Sequence, residues 1–205
     1  LVSQGKCLYY DHSPDTIRNL RSLLSLKRKL KKLEHSTRMR IRNHLVSQFF
    51  PELDPFFNSY LEGCLAIIRH CFDPVKISQM PFEAFVSLVT SRAPTRLQRV
   101  KLKSIWEIAP LSIGCLMTRG VEFEASLLVD SLRKTIVDIK AVDAEIRRVC
   151  RSIPEYQNVM SIPGFGEAIS AHIVAAIGNP TRFDNTRQVL KMAGLDLSSS
   201  RSGKS

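Results

Sequence analysis

Residues 161–183 read SIPGFGEAISAHIVAAIGNPTRF, with Pro163-Gly164-Phe165-Gly166 set between apolar residues and directly before a run of small ones. Two glycines in one short turn let the backbone come close to another group, because both accept positive φ and neither carries a Cβ. Upstream, IPEYQNVMS spaces its apolar residues as a helix does. The stretch 153–178 is therefore expected to be a helix over 153–161, a tight turn, and a second helix: a helix-hairpin-helix. Two uses fit this pattern. Amides at the start of the second helix would face an anion, making the turn a clamp for a DNA phosphate. Alternatively, the glycines serve close packing in a plain αα-hairpin. The spacing favours the phosphate clamp and leaves the hairpin open. His172, inside the second helix among apolar residues, is expected to be packed, since no Cys, Asp or second His stands four residues away.

Working outward, residues 121–150 predict one long helix. Leu128, Leu132, Ile136, Ile139, Val142, Ile146 and Val149 step by three or four, as in a coiled-coil seam. Asp138, Asp143 and Glu145 alternate there with Lys140, Arg147 and Arg148 and read as surface ion pairs. A second long helix is expected from Ser13, as N-cap before Pro14, to Pro51, with Ile17, Leu20, Leu24, Leu30, Leu33, Ile41 and Leu45 on its apolar face. Two long helices with a helical insertion suggest an antiparallel hairpin or a dimerising coiled coil, and the spacing does not choose. Residues 51–120 read as short helices jointed at Pro55, Pro74, Pro81, Pro94 and Pro110. No strand alternation of useful length appears, so the fold class is mainly all-α.

The charge is +11 overall, and +8 of it lies in residues 1–50. Lys27, Arg28, Lys29, Lys31, Lys32, Arg38, Arg40 and Arg42 spread around the first long helix and are the expected contacts to a nucleic-acid backbone. A solvated helix face is the plainer reading of the same charges. Five scattered cysteines, Cys7, Cys64, Cys71, Cys115 and Cys150, argue for reduced thiols in a cytosolic setting. Cys64, His70 and Cys71 lack the paired short spacings of a structural zinc site, so no metal ligand is assigned. No apolar run approaches the ~18–20 residues of a membrane span. Near the end, Gly203-Lys204-Ser205 resembles the close of a phosphate-binding P-loop, but Ser198 stands where that motif needs its first glycine. On residues alone, Ser202 is a loop hydroxyl in a basic setting with Arg201 and Lys204.

Taken in order, IPGFG, AAIGNPTRF, AGLDL and the Ser202-Gly203 pair resemble the C-terminal transposase domain of bacterial insertion-sequence transposases of family one-ten. These are DEDD-plus-serine, bridge-RNA-guided recombinases. LRSLLSLKRKLKKLEHSTRMRIRNHL with FPEL is similar to that family's basic segment. The resemblance implies DNA cleavage and strand transfer in transposition. It implies Ser202 as the nucleophile, with Ser198, Ser199 and Ser200 as neighbouring rivals. Pro163, Gly164, Phe165, Gly166, Arg201 and Lys204 would contact DNA. It further implies four metal-binding acids in a RuvC-like domain before residue 1, loaded with Mg2+, and Asp11 and Asp15 do not match them. The expected layout is a basic helix (1–50), a helical insertion (51–120), a coiled-coil helix (121–150) and a truncated transposase domain (151–205). DNA, a structured guide RNA and a second copy through the coiled coil are the expected partners. The expected location is the cytoplasm, at the nucleoid. As a fragment or decayed copy, the chain would bind nucleic acid better than it cuts it. The alternatives are a non-enzymatic helix-hairpin-helix module that grips nucleic acid, and a coiled-coil interaction protein with incidental charge.

Overall fold

The computed structural model describes residues 14–195, and among these it contains helices and no strand. The proposed N-cap Ser13 lies outside the described residues, as do Arg201, Ser202 and Lys204. The chain forms two compact units, Leu1–Arg28 with Ala141–Ser205, and Lys29–Lys140. Both divisions fall inside the long helices α1 (Asp15–Arg40) and α7 (Arg119–Arg151), so each of these helices contributes residues to both units.

In the second unit, α1 runs on through a π turn at Ile41–Val46 and a short helical piece to Phe50. The wider π turn carries one extra residue, which lets Ile41, Leu45 and Val46 all face inward. Short helices follow: α2 (Asp54–Ser59), α3 (Leu61–His70), α4 (Pro74–Gln79), α5 (Phe82–Val89) and α6 (Arg96–Ile108). The expected prolines sit at the joints. Pro55 and Pro74 occupy the first turns of α2 and α4, Pro81 caps α5, and Pro94 precedes the Thr95–Gln98 capping box of α6. Proline fits a first turn because its missing N–H would have had no helical partner there. The core closes around Leu45, Phe50, Phe57, Leu65, Phe85 and Leu102, with Ala125, Val129 and Leu132 of α7. The connection after α6 is pinned: Glu52 accepts from the Ser112 hydroxyl at 2.6 Å and from the Ile113 amide at 3.0 Å. A Cβ at Gly114 would stand 2.2 Å from the Phe49 carbonyl oxygen, so only glycine fits.

In the first unit, Ile17 and Leu20 of α1 pack with Ile146, Val149 and Cys150 of α7. Lys27 pairs with Asp143 at 2.6 Å, so numbering rises along one helix as it falls along the other, and the two are antiparallel there. The remaining helices are α8 (Pro154–Met160), α9 (Glu167–Ile177) and α10 (Thr186–Met192). Tyr156 of α8 and Ala171, Val174 and Ala175 of α9 complete the core. The Arg21 guanidinium donates to the carbonyls of Ala175 at 2.6 Å and Ala176 at 3.5 Å, placing a cation on the negative end of α9. Gly194, at φ +75, closes α10: the amide of Leu195 bonds the carbonyl of Leu190 and that of Gly194 bonds Lys191, a Schellman pattern.

The seam on α7 is covered within the chain. Leu128, Leu132 and Ile136 join the core of the second unit, and Val142, Ile146 and Val149 that of the first. Two expectations are corrected. Leu33 is exposed rather than on the apolar face of α1. His172 is exposed, its Nδ1 2.7 Å from the Ala168 carbonyl oxygen, because Ala171, Val174 and Ala175 take the buried face of α9.

Candidate nucleic-acid interface

The turn between α8 and α9 is built by its own residues. The amide of Phe165 donates to the carbonyl of Ile162 at 3.1 Å, with Pro163 and Gly164 between them and Gly164 at φ +87. Proline followed by a left-handed glycine is the signature of a type II turn. Gly166 is extended, at φ −87 and ψ 172, and caps α9 without a side chain. Only Gly164 therefore uses the positive φ that both glycines allow. A Cβ at either glycine would meet nothing within 4 Å among the described residues. Close helix packing thus does not explain them, and the space in front of Gly166 is open to an outside group. Pro163, Gly164 and Gly166 are exposed and Phe165 is half-buried.

The surroundings are mixed in charge. A cavity of about 170 Å³ beside the turn is lined by Lys27, Asp143, Ile146, Arg147, Tyr156, Glu167 and Ala168. Glu167 opens α9, where a carboxylate favours the helix and opposes a bound anion. Behind it, the Ser170 hydroxyl is fully buried with no hydrogen-bond partner among the described residues.

The basic residues of α1 and its continuation divide by what they touch. Lys27 pairs with Asp143, Lys31 with Glu34 at 2.9 Å, and Arg40 with Glu124 at 2.6 Å. Arg42 holds Asp54 through two bonds of 2.5 and 2.9 Å, and that contact keeps the Asp54 carboxyl below its usual range. Arg38 lies over the Phe57 ring at 5.8 Å and donates to Asn58 at 3.2 Å. Arg28, Lys29 and Lys32 are exposed and make no such bond among the described residues. Sequence reasoning missed the capping role of Arg21 and the partner of Asp143, because both come from another helix. Asp138 and Glu145 do form surface pairs, with Lys134 at 3.1 Å and Arg148 at 2.5 Å.

Burial pushes the thiol of Cys64 up to about 12 and that of Cys71 to about 11, so both pack as neutral apolar groups. Among the described residues, no group of three or more His, Cys, Asp and Glu stands close enough to hold a metal ion. No helix among them is long and apolar enough to cross a membrane.

Residues 156–205 match the family model described as Transposase IS116/IS110/IS902 family. The match covers about a quarter of the chain and contains the turn, α9, α10 and the Ser202 segment. The likeness to transposases is thus confined to the C-terminal stretch of the chain. No curated protein and no solved structure matches the chain.

Proposed function

We propose that this chain is the DNA-binding part of an insertion-sequence transposase that cleaves DNA and transfers strands, with the turn at 162–166 gripping the phosphate backbone. The observation that carries this reading is the unfilled space in front of Gly166, at the entry to α9 and inside the stretch that matches transposases. A phosphate there would meet the amides at the start of α9, against the opposing charge of Glu167. Arg28, Lys29 and Lys32 would add backbone contacts from α1, and Arg201 and Lys204 from the segment around Ser202.

The hydroxyl of Ser202 would attack the scissile phosphodiester: a bond forms from its oxygen to phosphorus, the bond from phosphorus to the departing sugar oxygen breaks, and that oxygen takes the electron pair and, in net terms, the serine proton. The Mg2+ implied by the resemblance does not fit the described residues, which offer no ligand set. It would belong to acidic residues elsewhere in a whole transposase. A guide RNA remains a partner suggested by the resemblance, and a second copy of the chain one suggested by the spacing on α7.

The test is duplex-DNA binding by Gly166→Asp. Aspartate is a strong N-cap, so α9 keeps its stability, while its charge repels phosphate. Affinity at low salt is expected to fall at least tenfold, and Gly166→Asn, an equally good cap without charge, should lose much less. Unchanged affinity in Gly166→Asp would overturn the reading.

A further inference from the structure

Residues 90–106, TSRAPTRLQRVKLKSIW, hold Arg92, Arg96, Arg99, Lys101 and Lys103 and no acidic residue. All lie in the second unit, on α6 and the loop before it. Three of these cations are engaged within the chain. Arg99 pairs with Glu83 and lies over the Phe82 ring at 5.1 Å. Lys101 donates to the Ser59 carbonyl at 2.8 Å and sits 5.6 Å from the Tyr60 ring. Lys103 is 3.7 Å from Glu107. Arg92 and Arg96 are exposed and have no bond or ion pair among the described residues.

Two features of this segment work against stability in the isolated chain. Arg96 and Arg99 stand in the opening turn of α6, which contains no acid, so their charges oppose the helix dipole. Leu97 and Val100, between them, are 75% and 57% exposed. Arg96, Val100 and Lys103 follow helical spacing and share one face. Arg38 of α1 touches Phe57 and Asn58, while Lys101 of α6 touches Ser59 and Tyr60, so cations from both helices converge on the end of α2. Local conflicts of this kind concentrate where a sequence serves a partner rather than its own fold.

We infer that the exposed face of α6 and the loop before it, with Arg96 and Arg92 as their free cations, form a second contact surface for the backbone of duplex DNA. This rests on the proposal that the chain binds DNA, and it extends the footprint to a unit outside the family match. The two guanidinium groups take phosphate oxygens. Leu97 and Val100 lie against sugar carbons, which accounts for aliphatic side chains beside unpaired arginines.

The experiment compares duplex-DNA binding by the chain, by Arg92→Gln/Arg96→Gln and by Gly166→Asp across a salt series, with thermal melts and an RNA hairpin as a second probe. The double variant should bind duplex DNA at least tenfold more weakly at low salt. Its plot of log affinity against log salt should flatten by about two, one for each lost phosphate contact. Its melting temperature should hold or rise, since removing Arg96 relieves the dipole conflict. Unchanged affinity, an unchanged salt slope, or a loss confined to the RNA hairpin would each overturn the inference. If Gly166→Asp is impaired while the double variant is not, the turn stands and the α6 surface falls. A chain that binds no duplex DNA at all would overturn both.

Discussion

Gly164 and Gly166 look alike in the sequence and serve different ends. Gly164 is required by its left-handed backbone at φ +87, where a Cβ is strained although space is free. Gly166 has an ordinary backbone and open space in front of it among the described residues, and under the proposed function it keeps access for a phosphate. Gly114 is a third kind: its Cβ would strike backbone. Its loop depends on Glu52, whose partial burial raises its pKa but is outweighed by bonds from Ser112 and Ile113, leaving it below the usual carboxylate range. Asp54 is lowered by the hydrogen bond from Arg42, against the effect of burial. A lowered folded pKa means stabilisation that is complete above the unfolded value and lost as pH falls through the folded one. Thermal stability is therefore expected to drop as pH falls below about 4. A Glu52→Gln/Asp54→Asn variant should show a flatter acid limb in melts recorded from neutral pH downward. An identical limb would mean that these two carboxylates do not govern acid sensitivity.

At the scale of elements, helix existence followed from period and punctuation, while helix ends and partners did not. The three- and four-residue steps on α7 reported a buried face, but the same steps suit a partner helix from the same chain or from another. Leu132, Ile146 and Val149 of this face are buried within the chain. Arg21 shows why charge counts mislead: in sequence it belongs to the basic run, yet its guanidinium closes the end of α9. Arg21→Ala should destabilise the chain by about 1–2 kcal/mol, as expected for a charged hydrogen bond to a helix carbonyl. Amide exchange across 171–178 should quicken most. Exchange speeding up evenly along the chain would contradict a local capping role.

For the whole molecule, charge and chemistry belong to different segments. The +11 charge makes a polyanion partner reasonable, but internal pairs consume much of α1's share. Arg28, Lys29 and Lys32 on α1, Arg92 in the loop before α6 and Arg96 on α6 are among the exposed cations that make no ion pair among the described residues. Under the proposed function, the attacking hydroxyl is that of Ser202. Ser202→Ala in the full-length protein is expected to abolish strand exchange while leaving DNA binding intact. Exchange at the normal rate would assign the nucleophile to another group, with Ser198, Ser199 and Ser200 next to test.

The all-α class, the proline joints, the two long helices and the turn at 162–166 were legible in the residues, because each depends on local period, capping or φ preference. Contacts between residues far apart in the chain were not. The π turn at Ile41–Val46, the inward face of α9 that leaves His172 outside, and the Lys27–Asp143 and Arg42–Asp54 pairs all arise from packing. The same is true of which glycine faces open space, because that depends on what the rest of the fold leaves empty in front of it.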